Sequence, residues 1–193
     1  FGVSQQTQDE LGRIYLDIEE AEAKAEADDF EAVKALYREK KESLKAEVNG
    51  CGKEGRKLLE HFKKDYHAQR DVFVEEISIS YTKFEEELRQ HMTEYEIAVG
   101  TEDISAEEAL KDYEAKLCAA FEAHRSSAAE SRSDAESKLA EIAEEYLKIG
   151  SAFHKAEEAE VDTASEEETS DEAEGTENEE CVPADDADSD EED

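Results

Sequence analysis

Apolar residues recur along this chain at helical rather than strand spacing. Phe62, Phe73, Phe84 and Tyr95 stand 11 residues apart, and so do Tyr66, Ile77, Leu88 and Val99. A third row runs through Leu59, Arg70, Tyr81 and Met92. Eleven residues over three turns is about 3.67 per turn, close to a straight α-helix. The rows lie side by side and predict one helix over 53–99. Val72, Val74, Ile77, Ile79 and Tyr81 alternate as a strand would. The 11-residue rows cross that patch without a break, so the helical phase decides.

The other two segments follow the same period. Ser105 with Glu108 three positions on is a capping-box signature for a helix start. Its stripe then runs Leu110, Tyr113, Leu117, Phe121, His124, Ala128, Ala135, Leu139, Ile142, Tyr146 and Ile149. Residues 125–137 offer only small side chains to that stripe, a thin waist that is either a close helix approach through Ala or a locally weak region. Gly150 with Ser151 predicts the helix end, with a frayed turn or two over 152–160. In the first segment, Leu11, Ile14, Ile18, Ala21 and Ala25 keep phase with Val33, Leu36, Leu44 and Val48. Asp28 or Asp29 can cap a new helix at Phe30, and the balance favours a break there. The stretch from Ala25 to Leu36 resembles the UVR-type helical hairpin of excision-repair and other adaptor proteins. That resemblance implies a protein-contacting hairpin.

Glycines divide the body. Gly50, Gly52 and Gly55 cluster, Gly100 and Gly150 stand alone, and the only proline is Pro183. The expected fold is all-α: an antiparallel bundle of three or four long helices, coiled-coil-like in its 11-residue repeat. Residues 1–52 form its N-terminal segment, as a hairpin or a single helix. Residues 53–160 form a long antiparallel hairpin in the same bundle, and 161–193 a disordered acidic tail. Seven pairs place an acid four residues before a base, the stabilising order on a helix surface: Glu20–Lys24, Glu60–Lys64, Glu85–Arg89, Glu107–Lys111, Asp112–Lys116, Asp134–Lys138 and Glu144–Lys148.

Charge sharpens the division. The chain has 193 residues, 57 acids against 22 bases, and a net charge of −35. After Lys155 no Lys or Arg occurs, and residues 156–193 carry −20 against −15 for residues 1–155. A segment so acidic and so poor in apolar residues buries too little surface to offset its ordering entropy. The overall charge repels phosphate backbones and disfavours nucleic acid as a partner. No apolar run approaches the ~20 residues that span a bilayer. Cys51, Cys118 and Cys181 are an odd set without metal spacing, which fits a reducing compartment, cytoplasmic or nuclear. A secreted mature chain with one bridge is the alternative, and the Phe1 start suits a processed form or a fragment.

Site chemistry is sparse. Gly50-Cys51-Gly52-Lys53-Glu54-Gly55 matches G-x-G-x-x-G, but a helix precedes it where dinucleotide binding needs a strand. The same run fails as a Walker loop because Glu54 follows Lys53. Cys51 beside Lys53 and Arg56 at a helix start is a setting that favours thiolate, though a plain loop thiol is the commoner case. His61, His67, His91, His124 and His154 make no H-E-x-x-H or E-x-x-H pattern. Asp186, Asp188 and Asp190 start like a calcium loop, but Glu191 replaces its glycine and the chain given ends at Asp193. Thr163, Ser165, Thr169, Thr176 and Ser189 each precede an acid by three, the pattern read by acidophilic kinases such as casein kinase 2.

No catalytic, cofactor-binding or metal residue is therefore expected, nor any cofactor. The expected function is a non-enzymatic interaction or scaffold protein, binding a protein partner or a second copy through apolar helix faces. The alternative is an acidic chaperone for basic proteins such as histones. Amphipathic lipid binding ranks below both, because the polar face is acidic and anionic bilayers would repel it.

Overall fold

Long stretches of Ala, Glu, Lys and Leu without proline favour helix by intrinsic propensity, and an apolar stripe then selects the buried face. The computed structural model describes residues 5–101 and 104–164, with side chains as far as residue 156. Among these residues three long helices form an all-α bundle: α1 (Gln5–Glu47), α2 (Gly52–Gly100) and α3 (Ala106–Ala164). At ~1.5 Å per residue they run roughly 65, 75 and 90 Å.

Cross-helix contacts set the directions. Side chains of α1 meet those of α3 at sequence separations of 96 to 104, so these two helices run parallel. Antiparallel packing of α2 on α3 brings Tyr95 to Tyr113, Phe84 to Phe121 and Phe62 to Tyr146. Phe30 meets Phe73, and Tyr37 stacks on Tyr66 with ring centroids 3.9 Å apart, so α1 is antiparallel to α2. The topology is up-down-up.

The 11-residue rows of α2 supply its buried face. Phe62, Phe73, Phe84 and Tyr95 are all buried, with Tyr66 and Ile77 of the second row. Of the competing strand pattern, Val72, Val74 and Ile79 are exposed, Ile77 is buried and Tyr81 half-buried. Two apolar clusters result. One joins Val33, Leu44, Phe62, Phe73, Ala128 and Leu139 toward the α1–α2 turn. The other joins Tyr95, Tyr113 and Leu117 to Leu11, Ile14 and Ile18 at the opposite end.

Three expectations are corrected. The break near Asp28–Asp29 does not occur: α1 is one helix, and the hairpin implied there is absent. Asp29 caps nothing; it is buried and bonded to arginines of α3. Ala21 is exposed, and Glu22 takes the buried position instead. Gly150 does not end α3, which continues to Ala164. It is buried against α1, where an added Cβ would sit 3.0 Å from Val48 Cγ1 and 3.3 Å from Glu47 Cγ. The glycine permits close helix approach.

The turns match their sequence signals. Gly50 and Gly52 have φ of 87° and 58°, the left-handed region that glycine occupies at little cost. Ser105 Oγ accepts the Glu108 N–H at 3.2 Å, the N-terminal bond of a capping box. Four of the seven expected ion pairs close within 4 Å: Glu85–Arg89, Glu107–Lys111, Asp112–Lys116 and Glu144–Lys148. Residues 161–164, expected in the disordered tail, are helical; the rest of that tail, with its calcium-like run and kinase-type positions, and the side chain of Thr163 lie outside the described residues.

Candidate functional site

Polar groups interrupt the stripe where the two apolar clusters separate. On α1, Glu22 and Asp29 stand seven residues apart and face the bundle; on α3, Arg125 and Arg132 do the same. Seven residues are nearly two turns, so each pair shares one helix face. The parallel register of α1 and α3 sets acids against bases. Arg125 Nη2 donates to Glu22 Oε1 at 2.7 Å, and Arg125 Nη1 to Asp29 Oδ2 at 3.0 Å. Arg132 Nη1 reaches Asp29 Oδ1 at 3.3 Å, and its Nε donates to Glu136 at 3.0 Å.

His124 extends this network to the third helix. Its Nε2 stands 2.7 Å from Glu22 Oε1, and its Nδ1 is 2.7 Å from Ser80 Oγ on α2. Arg125 Nη2 also lies 3.3 Å from Nε2; with the proton on Nε2, that atom donates to Glu22 and Ser80 Oγ donates to Nδ1, and with the proton on Nδ1 the Ser80 bond reverses. The ring also stacks on Phe84 at 5.4 Å and 16°. The His124 and Glu22 side chains are 1% and 5% exposed, so their bonds are shielded from water and little screened by salt. Glu22 Oε2 and Arg125 Nε have no hydrogen-bond partner among the described residues.

Ser80 and His124 also line an open cleft of about 340 Å³ between α2 and α3, with Phe84, Lys83, Ser127 and Ser131 on its walls. Serine, imidazole and carboxylate in bonded order are the parts of an activated nucleophile. Acyl transfer also needs donors aimed at a developing oxyanion. Ser80 lies inside α2, where backbone N–H groups are occupied in the helix, leaving Lys83 and the two serine hydroxyls as the donors near the cleft. Glu22 is meanwhile shared between His124 and Arg125. What this geometry does directly is clamp three helices in one register.

A second cluster sits at the α1–α2 turn. Cys51 precedes α2, half-buried, with Sγ 4.0 Å from His154 Nε2. His154 Nε2 also bonds the Glu47 carbonyl, and Ser151 Oγ donates to Glu47 Oε1 at 2.7 Å. These contacts tie α3 to the end of α1. Tyr146 donates to Asp65; its burial and that carboxylate push the phenol up to about 12. At the other end, Lys116 reaches Glu94 at 2.8 Å. Lys116, His91 and Gln90 hold the Glu94 carboxyl down at about 2, while Glu94 and Asp112 raise Lys116.

Among the histidines noted in sequence, His124 is buried in the network and His91 faces Glu94 at 3.3 Å. His67 lies beside Tyr66, and His61 is exposed. Cys118 is exposed, far from Cys51 in the chain, and Cys181 lies outside the described residues. No group of three or more His, Cys, Asp or Glu that could hold a metal ion occurs among the described residues, and no described helix is long and apolar enough to cross a membrane. The network itself was missed in sequence. Its signal was present as paired seven-residue spacings of opposite charge, Glu22/Asp29 and Arg125/Arg132. Comparison with protein-family models, with curated proteins and with solved structures finds no match.

Proposed function

We propose that this chain is a non-enzymatic helical interaction protein, a coiled-coil-like scaffold that engages a protein partner or a second copy through α2. The carrying observation is three exposed apolar side chains on one line of that helix, with Lys83, Glu86 and Gln90 between the second and the third. Ile79 and Ile97 are 64% and 61% exposed, and Val72 is 41% exposed. Ile79 and Ile97 are 18 residues apart, five full turns, and Val72 is about two turns before Ile79. Ile79 lines the α2–α3 cleft beside Phe84, yet most of its surface stays in solvent. Apolar side chains held in solvent along one helix face are positions where a partner helix can dock.

The test is size-exclusion chromatography with light scattering, together with pull-down, on wild-type protein and a Val72→Ser/Ile79→Ser/Ile97→Ser variant. Loss of a higher-order species or of a bound protein in the variant supports the reading. A monomer in both, with robust turnover of a small molecule, would end it.

A second reading, an acidic chaperone for basic proteins, is favoured by the sixteen acids and no base in residues 165–193. Removing those residues should then cut binding to core histones strongly at low salt. Unchanged affinity would dispose of it.

A further inference from the structure

Charge is segregated along this molecule in a way its net value conceals. Residues 34–64 hold ten bases and five acids, a net of +5, while residues 1–33 and 65–155 together carry −20. The positive stretch is the end of α1, the turn and the start of α2, so folding doubles it back on itself at one end of the bundle. The neighbouring part of α3 neutralises none of it: Lys138, Lys148 and Lys155 balance Glu141, Glu144 and Glu145.

On α2 the bases share an outer face. Lys53, Lys57 and Lys64 lie along one row, which Glu60 interrupts, with Arg56 and Lys63 in the next, and all five bases are exposed. Lys57 pairs with Glu54 at 3.6 Å. Lys53, Arg56, Lys63 and Lys64 make no ion pair among the described residues.

The acidic segment departs from this same end. Ser151 and His154 fix α3 across the α1–α2 turn through Glu47, and the helix then runs ten more residues to Ala164, ~15 Å further. Lys64 lies about 18 Å up α2 from Gly52. The return path from Ala164 to Lys64 is therefore about 33 Å. The remaining 29 residues reach at most ~100 Å extended and ~30 Å root-mean-square as a coil. Tethering at that distance gives an effective concentration of order millimolar.

We propose that the basic face formed by Lys53, Arg56, Lys57, Lys63 and Lys64 is a docking surface whose occupant is the chain's own acidic segment, residues 165–193. Sixteen carboxylates without a single base meet the one stretch of the body with net positive charge, at the end from which they are tethered. The contact is electrostatic and tolerant of register, because the segment offers acids along its whole length. A basic ligand of the segment would have to displace this face. The proposal does not depend on the apolar row of α2, which lies further along the helix.

Zero-length carboxylate–amine cross-linking of the full chain tests it, using an equal mixture of unlabelled and nitrogen-15-labelled protein read by mass spectrometry. The expected result is same-isotope links from residues 165–193 to Lys53, Lys57, Lys63 and Lys64. These should fall several-fold between ~0.1 M and ~1 M salt, as the screening length drops from about 10 to 3 Å. They should also vanish in Lys53→Glu/Arg56→Glu/Lys63→Glu/Lys64→Glu protein of unchanged helicity. The wild-type salt series decides the matter if that variant does not fold. Links spread evenly over Lys24, Lys83, Lys111 and Lys138, links insensitive to salt, or links only between differently labelled chains would each overturn the proposal.

Discussion

Arg125 ties both buried acids of α1 to α3, so Arg125→Met is the most informative single change. Methionine keeps the unbranched stem and the helix propensity but removes the guanidinium. Glu22, 5% exposed on its side chain, would keep only His124; Asp29, 10% exposed, would keep only Arg132 at 3.3 Å. Removing one partner of a buried ion pair costs about 3–5 kcal/mol, because the other charge stays desolvated. Arg125 is itself 20% exposed, so water partly relieves the loss and the lower half of that range applies.

With a urea m-value of roughly 2–3 kcal/mol per molar, a loss of about 3 kcal/mol lowers the unfolding midpoint by ~1–1.5 M. Far-UV circular dichroism against urea measures this. The Glu22→Leu/Arg125→Met pair should be less destabilised than the two single changes combined, by at least about 1 kcal/mol, because no charge is left unpaired at Glu22. A single-variant effect within ~0.5 kcal/mol of zero, or strict additivity in the pair, would refute the clamp.

Three further predictions follow from separate contacts. Gly150→Ala should lose stability despite better helix propensity, since its Cβ would press on buried Val48, whereas Gly12→Ala, with open space around it, should gain ~0.5–1 kcal/mol; equal gains in thermal unfolding would contradict the close approach. Ser105→Ala should cost about 1 kcal/mol by removing the α3 cap, and a neutral result would count against that bond. Glu94 titrates at about 2 instead of the ordinary 4.5, so its contribution to stability is complete above ~4.5 and disappears as the pH falls through about 2. Carboxyl NMR should show this depression in wild-type protein and its partial reversal in Lys116→Ala; an ordinary titration in both would exclude the bond.

Much of the fold was legible because packing in long helices is periodic. The Phe62–Tyr95 row alone identifies the buried face of α2, and Ser105 with Glu108 marks the start of α3. The errors share one cause. Asp29 has the local signature of a helix cap, and only two arginines about a hundred residues away make a helix-interior aspartate stable. Gly150 likewise has the local signature of a helix end, and only Glu47 and Val48, where α1 passes into the turn, make it an interior contact. The waist at 125–137 reads as a close approach through Ala or as a weak region, because it offers only small side chains. In the bundle, Ala128 and Ala135 bring the helices close, and Arg125 and Arg132 complete the join. Local rules read what a segment prefers alone; these positions are decided by partners on another helix.

The functional account rests on the outer face of α2, and site-specific photo-cross-linking addresses it directly. A benzophenone side chain placed at Ile79, in the native cellular extract, should capture a defined protein or a second copy of this chain. The same group at Lys111, an exposed polar position, should capture little. Capture at Ile79 no greater than at Lys111 would contradict the reading of this protein as a scaffold that works through that face.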